Sequence, residues 1–321
     1  MPKGLKALDC SLTNKKMEDT FRYILTLDEV KKAHPESSWV RITTVTMIAK
    51  FERDIDLAAF RENFKPLRIR TKGSSFGGFE WNLKKTTFYN QVTIFTRDQY
   101  SNKSIKLFPN GSVQVAGCSD LLDCRRIARE VNFIVSQVLP TEVPNRLLPE
   151  TISVKMINTN FSLNSTVNLT KVINSFGMSI KDCAASWLRS EMRKCYDRGD
   201  HAGVKKLEKK LSNLDEEADD SKFLVTFDPD RYSAVKVKFC PVSGMKRVTA
   251  SIFSTGKIIV TGAQTLKEIA LAYKIINQVL SPAAVRLGVS DKKDNFETIL
   301  GHKFSEWVPR LQAKGMKAWS A

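Results

Sequence analysis

Two stretches of this chain alternate apolar and polar side chains around a glycine-bearing turn, and they do so in the same way. The first is Ile105-Lys-Leu-Phe108-Pro-Asn110-Gly111-Ser-Val113-Gln114-Val115-Ala116-Gly117; the second is Ala250-Ser-Ile252-Phe253-Ser-Thr255-Gly256-Lys257-Ile258-Ile259-Val260-Thr261-Gly262. A period of two across a tight-turn dipeptide predicts a β-hairpin, with Asn110-Gly111 a strong turn signal and Thr255-Gly256 a weaker one. Residues two apart share a side of a strand. Ile259 and Thr261 therefore belong to a partner-facing set, and Ile258 and Val260 to a helix-facing one. In the first copy Gln114 and Ala116 take the former role and Val113 and Val115 the latter.

Behind each hairpin the period lengthens to that of a helix. Cys124, Ile127, Ala128, Val131, Val135 and Val138 fall on one face, with Ser119 or Asp120 as cap. The second helix opens on a capping box, Thr265 with Glu268, and carries Ile269, Ala272, Ile276 and Val279. Both end in Gln-Val-Leu, and the first is longer by about four residues, close to one turn. Ahead of each hairpin, Ile55–Phe64 answers Val167–Phe176 as a short helix after a β-rich run, 40–51 or 152–163. The predicted unit is strand, short helix, antiparallel strands and long helix, twice over. That is an α+β fold whose helices gather on one sheet face and leave the other free.

The repeats set the domain limits. Residues 1–37 form an N-terminal helical extension around Met17–Leu25, 38–148 the first repeat, 149–282 the second, and 283–321 a C-terminal helical extension. A helical insertion at about 181–220 carries Trp187, Leu188 and Met192 on one stretch and Val204, Leu207 and Leu211 on the next. Its basic run, Lys205-Lys206 and Lys209-Lys210, precedes the acidic Asp215 to Asp220, which reads as a solvated surface ahead of a partner site. Phe296, Ile299, Leu300, Phe304, Trp307 and Val308 supply apolar surface for a last packed helix.

Charge narrows the choice of partner. Lys and Arg outnumber Asp and Glu by 51 to 34, a formal net charge of +17, which favours a polyanion and nucleic acid first. No apolar run reaches transmembrane length and the opening residues lack a secretory stretch, so the expectation is an intracellular protein with no membrane partner. The cysteines, Cys10, Cys118, Cys124, Cys183, Cys195 and Cys240, are scattered without a CxxC pair, and His34, His201 and His302 lie far apart. They read as buried thiols and not as zinc ligands. Metalloprotease, nucleophile-elbow and phosphate-loop motifs are absent, so neither catalysis nor a cofactor is expected.

The block Ile252 to Ala263, with Asp228-Pro-Asp-Arg231-Tyr232 before it, resembles the TATA-box-binding protein family. The resemblance covers roughly 38–140 and 150–281 and is stronger in the second copy. It implies a pseudo-twofold saddle: a curved antiparallel sheet with helices on the convex face and the concave face on a widened minor groove. It also implies aromatic wedges that push between base steps and kink the duplex. By matching motifs the wedges are Phe253 and Tyr232 in the second copy, and Phe108 with either Phe88 or Tyr89 in the first. Arg231 and Lys257 are the implied phosphate contacts. The family places an asparagine in the first strand of each repeat, where this chain has Thr44 and Met156, with Thr46 and Asn158 two residues on. Lys106 and Ser251 replace apolar residues, and Ala116 replaces a threonine. These departures imply an altered or weaker A·T preference. The elaborated form resembles versions found in large DNA viruses.

The resemblance implies a transcription initiation factor that binds and bends A·T-rich promoter DNA beside general initiation factors and RNA polymerase, in a nucleus or a cytoplasmic viral factory. The competing reading is a protein scaffold that kept the fold and lost specific TATA recognition, to which Lys106, Gln114 and the missing asparagines point.

Overall fold

The computed structural model describes residues 14–70, 78–84, 89–98, 101–119, 121–142, 145–177, 180–212, 223–242, 244–282, 285–289, 294, 296, 298–299 and 302–319. Ile42–Asn158 form one compact unit, and Lys15–Arg41 with Thr159–Ala321 form another. In the first, β1 (Arg41–Phe51) leads through α2 (Leu57–Asn63) to β2 (Leu67–Arg70), β3 (Gly78–Lys84), β4 (Val92–Arg97), β5 (Asn102–Leu107), β6 (Ser112–Cys118) and α3 (Leu121–Val138). The strands pair antiparallel in the order β2-β3-β4-β5-β6-β1. Strand β7 (Leu147–Ser162) carries the chain across the boundary between the units.

The second unit repeats the plan. After β7 come β8 (Ser165–Val167), α4 (Leu169–Ser175), α5 (Ile180–Asp197), α6 (His201–Ser212), β9 (Leu224–Asp228), β10 (Tyr232–Phe239), β11 (Val248–Phe253), β12 (Lys257–Ala263) and α7 (Leu266–Val279). Strands β12, β11, β10 and β9 pair antiparallel in that order. The chain ends in β13 (Arg286–Val289), which pairs with β8, then β14 (Thr298–Ile299), β15 (His302–Lys303) and α8 (Phe304–Ala313). At the point where the first unit forms β2, the second inserts the hairpin α5–α6.

Helix starts follow their caps. The Asp56 carboxylate accepts from the backbone N–H of Ala58 and Ala59 at 2.9 and 3.0 Å, and Asn168 accepts from Lys171 at 3.1 Å. Thr265 and Glu268 close the predicted capping box. Asp120, one of two caps proposed for α3, lies outside the described residues; the Ser119 N–H donates to Asp123 at 2.8 Å. The long helices have 18 and 14 residues, so the expected extra turn is present. Helix α3 packs on β6 and α7 on β12. All six stripe residues of α3 are buried; on α7 Ile269, Ala272 and Ile276 are buried and Val279 half-buried. Helix α1 (Asn14–Ala33) buries Tyr23, Ile24, Leu27 and Val30, and the Tyr273 hydroxyl of α7 donates to Ser38 O at 2.8 Å. In the C-terminal segment α8 buries Phe304, Trp307 and Val308; Ile299 precedes it in β14, Phe296 is half-buried, and Leu300 lies outside the described residues.

One set of backbone hydrogen bonds recurs in both copies. Phe51 N–H donates to Gly111 O at 2.8 Å and Ile55 N–H to Pro109 O at 2.8 Å. Leu163 N–H donates to Gly256 O at 2.9 Å and Val167 N–H to Ser254 O at 2.8 Å. These donors correspond residue for residue when Asp56 is aligned with Asn168. Each strand exit is thereby tied to its own hairpin turn, and the approach leaves no room for a side chain. A Cβ on Gly111 would lie 2.6 Å from Arg53 O, and one on Gly256 would lie 1.9 Å from Ser165 O. Both glycines also have positive φ, +74° and +78°.

Under α3 a buried cation joins β5 to the helix through carboxylates. The Lys103 ammonium, fully buried, lies 2.8 Å from Asp98 and 3.2 Å from Asp123, and Arg126 reaches both carboxylates. Glu130 at the edge of this group is pushed up to about 7, chiefly by burial and then by the Asp98 charge, against the pull of Arg126.

Two outcomes follow for stability. Gly177 has φ +77° but nothing within 4 Å of a Cβ, so Gly177→Ala should cost only the left-handed penalty of about 1–2 kcal/mol. Gly256→Ala should cost clearly more, about 3 kcal/mol or above by denaturant titration, because backbone must also move. The folded Glu130 carboxyl keeps its proton over a range where the unfolded one ionises, so its contribution to stability is lost as pH rises through about 7. Glu130→Gln should therefore gain thermal stability relative to the parent between about pH 5 and about pH 8.

Candidate nucleic-acid interface

The register sorts the hairpin side chains onto two faces. In the second unit Ile258 pairs with Ile252 and Val260 with Ala250, and Val235 and Val237 continue those rows on β10. All six are buried, on the face that meets the helix. The opposite face carries Ile259, Ser251, Lys236 and Thr226 in one row and Thr261, Thr249, Lys238 and Leu224 in the next. Ile259 is 37% exposed, Lys236 and Lys238 are exposed, and Thr261 is half-buried. Small residues fill the gaps: Ser251 and Ala234 are shielded by their larger neighbours.

Two aromatic rings stand at the end of this face. Tyr232 and Phe253 meet edge to face with centroids 5.7 Å apart, and the Lys236 ammonium lies 4.3 Å from the Tyr232 ring centre. Phe253 is half-buried and Tyr232 is 37% exposed. Phe253 shares its side of β11 with Ser251 and Thr249, away from the helices.

The first unit has an equivalent face with different residues. Gln114 lies between Lys106 on β5 and Ile48 on β1, and Ala116 between Ser104 and Thr46. Outward along the same face come Thr93 beside Lys106 and Phe95 beside Ser104. Phe108, half-buried, stands three residues before Gly111, as Phe253 stands before Gly256. Register also separates the two candidates for the second ring. Lys106 and Ser251, each five residues before the turn glycine, pair with Thr93 and Lys236; Tyr89 and Tyr232 each stand four residues before those partners. Tyr89 thus occupies the equivalent position and is 89% exposed, with its carbonyl held by the Arg61 guanidinium at 3.0 Å. Phe88 lies outside the described residues.

The first-strand candidates come together in part. Asn158 donates through Nδ2 to the Thr44 hydroxyl at 3.0 Å, and its carbonyl accepts from Thr43 at 3.0 Å. Thr46 is nearly buried beside Ala116, and Met156 is half-buried on the same side of β7 as Asn158. Both cations chosen from the sequence already have carboxylate neighbours. Arg231 is 3.5 Å from Glu191 and 3.9 Å from Asp228, and Lys257 is 3.8 Å from Asp294. The two cations' side chains are 65% and 62% exposed, so these pairs are weak and phosphate can displace them.

Sequence reasoning passed over Lys236 and Lys238, and also Phe95 and Asn160, the last half-buried two residues beyond Asn158 on the same side of β7. The lysines were legible: Lys236 and Lys238 alternate with Val235, Val237 and Phe239, the same period that marked the hairpins. Asn160 was legible once Asp56 is aligned with Asn168, because it then matches Ile48; Phe95 falls on the face only through its pairing with Ser104. Among the described residues no group of His, Cys, Asp and Glu could hold a metal ion. No described helix is long and apolar enough to cross a membrane.

These features define an α+β protein in two copies, each presenting one sheet face that its own helices leave bare. Residues 207–283, from within α6 to four residues past α7, match the family described as "Transcription factor TFIID (or TATA-binding protein, TBP)". A relative from Acanthamoeba polyphaga mimivirus, "TATA-box-binding protein-like", is 25% identical over 274 residues, covering 75% of this chain and 65% of its own length. The chain thus spans just under two thirds of that relative. Methanococcus jannaschii TBP superposes with a TM-score of 0.43 and 13% identity, covering 75% of this chain and 98% of the archaeal one. The second copy is thus similar to the TATA-binding protein family over residues 207–283, and the chain as a whole to the mimivirus relative.

The face assignment can be tested without a ligand. Ile258→Asp places a charge in the core and should cost about 4 kcal/mol or more, whereas Ile259→Asp should change stability by less than about 1 kcal/mol. Urea titration of the two variants distinguishes these outcomes.

Proposed function

We propose that the chain is a non-catalytic transcription factor that binds double-stranded DNA through the bare sheet face of each copy and bends it through the minor groove. The observation that carries this reading is the Tyr232–Phe253 pair, edge to face at 5.7 Å beside Lys236, at the end of a face that carries Ile259, Ser251, Thr249, Thr261 and Lys238. Half-exposed rings next to a cation suit insertion between base steps, with the unstacking cost offset by new contact along the bent groove. Tyr89 and Phe108 stand at the equivalent positions of the first copy and take the same role. Ile259 and Thr261, with Gln114, Ala116, Thr46 and Asn158, face the groove floor. Lys236 and Lys238 join Arg231 and Lys257 in neutralising phosphates.

The name of the mimivirus relative supports the TATA-binding part of this reading. Promoter DNA, general initiation factors and RNA polymerase are the partners it implies, in a nucleus or a viral factory. Gln114 and Lys106 stand where the second copy has Ile259 and Ser251, which favours an altered A·T preference over a standard TATA site.

The test is the double variant Phe108→Ala with Phe253→Ala on a duplex selected from a random pool. End-to-end fluorescence transfer should report a bent duplex with the parent protein and a straight one with the variant, whose affinity should fall at least about tenfold, roughly 1.4 kcal/mol. Bending unchanged in the variant, or affinity insensitive to salt in the parent, would contradict the proposal and leave the scaffold reading in its place.

A further inference from the structure

We propose, resting on the DNA-binding reading above, that the helical hairpin α5–α6 is a second DNA-contacting element that holds the phosphate backbone of the duplex flanking the bent site. The hairpin is an addition to the repeated unit, since the first copy builds the equivalent sheet with β2 at that point of the chain. Its placement links it to the aromatic pair. Helix α5 packs on β9, and Glu191 of α5 lies 3.5 Å from Arg231, the residue next to Tyr232.

The outer surface of the hairpin has the charge of a phosphate contact. On α6 Val204, Leu207 and Leu211 are half-buried, and Lys205, Lys206, Lys209 and Lys210 are exposed. Their spacing places all four lysines on one side of the helix. Arg193 and Lys194 at the end of α5 and Arg198 just after it are exposed around Tyr196, itself 70% exposed. Residues 180–212 hold nine Lys and Arg against five Asp and Glu. Lys205 with Lys209 and Lys206 with Lys210 are like charges four apart, which destabilise a helix. A polyanion along that side removes the repulsion and releases its own counterions.

The experiment compares the parent protein, K205Q/K206Q/K209Q/K210Q and the matching Lys→Arg variant on two duplexes. One is confined to the bent site and the other extends about one helical turn, roughly 10 base pairs, beyond each end. Anisotropy titrations over a salt series give the slope of log K against log salt, and fluorescence transfer on the same samples gives the bend. On the long duplex the Gln variant should lose about 3 to 4 from the parent slope, near 0.9 for each lysine, while the Arg variant keeps it. On the short duplex the three slopes should agree, and the bend should be the same throughout. Equal slopes on the long duplex with bending intact would overturn the hairpin proposal alone and point to an acidic protein as the partner of those lysines. A loss of equal size on both duplexes would also overturn it. Absence of bending with the parent protein would overturn the underlying DNA reading instead.

Discussion

Everything on the bare face depends on how each hairpin turn is tied to the exit of its first strand. Two backbone hydrogen bonds do this in each copy, Phe51 to Gly111 with Ile55 to Pro109, and Leu163 to Gly256 with Val167 to Ser254. The approach is so close that only glycine fits at the turn, and only glycine adopts its positive φ without strain. Once the turn is pinned, the pairing register is pinned, and a slip of one residue would send Ile259 and Thr261 into the core and Ile258 and Val260 into solvent. Phe108 and Phe253 owe their placement to the same tie, since each stands three residues before the pinned glycine.

Much of this was legible in the chain. The alternation around Gly111 and Gly256 predicted both hairpins and the division of Ile258 from Ile259; the stripe from Cys124 to Val138 predicted α3; Thr265 and Glu268 predicted the start of α7. These are local signals, and both copies carry them. What was not legible depends on pairing between distant strands. Phe95 gives no sign in sequence of sharing a face with Ser104 and Ala116. The equivalence of Tyr89 and Tyr232 emerges only when the partners of Lys106 and Ser251 are known. The carboxylates beside Arg231 and Lys257 come from α5 and from Asp294, whose positions no periodicity predicts. The buried Lys103 group likewise joins residues of β5 and α3 with Asp98, and a lone lysine in a strand reads as surface until its partners are seen.

The copies divide the chemistry unequally. The second presents Ile259, Thr261, the exposed Lys236 and Lys238 and the ordered aromatic pair, and it is the copy that the family match covers. The first presents Gln114 and Lys106 and an exposed Tyr89. Ile259 and Ser251 of the second copy stand where the first has Gln114 and Lys106, whose donors can hydrogen-bond to the A·T acceptors and also reach the backbone.

Recognition from the minor groove is tested most directly by base analogues. Inosine·cytosine pairs present the A·T pattern in the minor groove, because inosine lacks the guanine amino group, and the G·C pattern in the major groove. Affinity should persist when the A·T pairs of a selected duplex are replaced by inosine·cytosine and fall when they are replaced by G·C. Equal loss with both replacements would mean that the protein reads the major groove, which contradicts binding through the bare sheet face in the minor one.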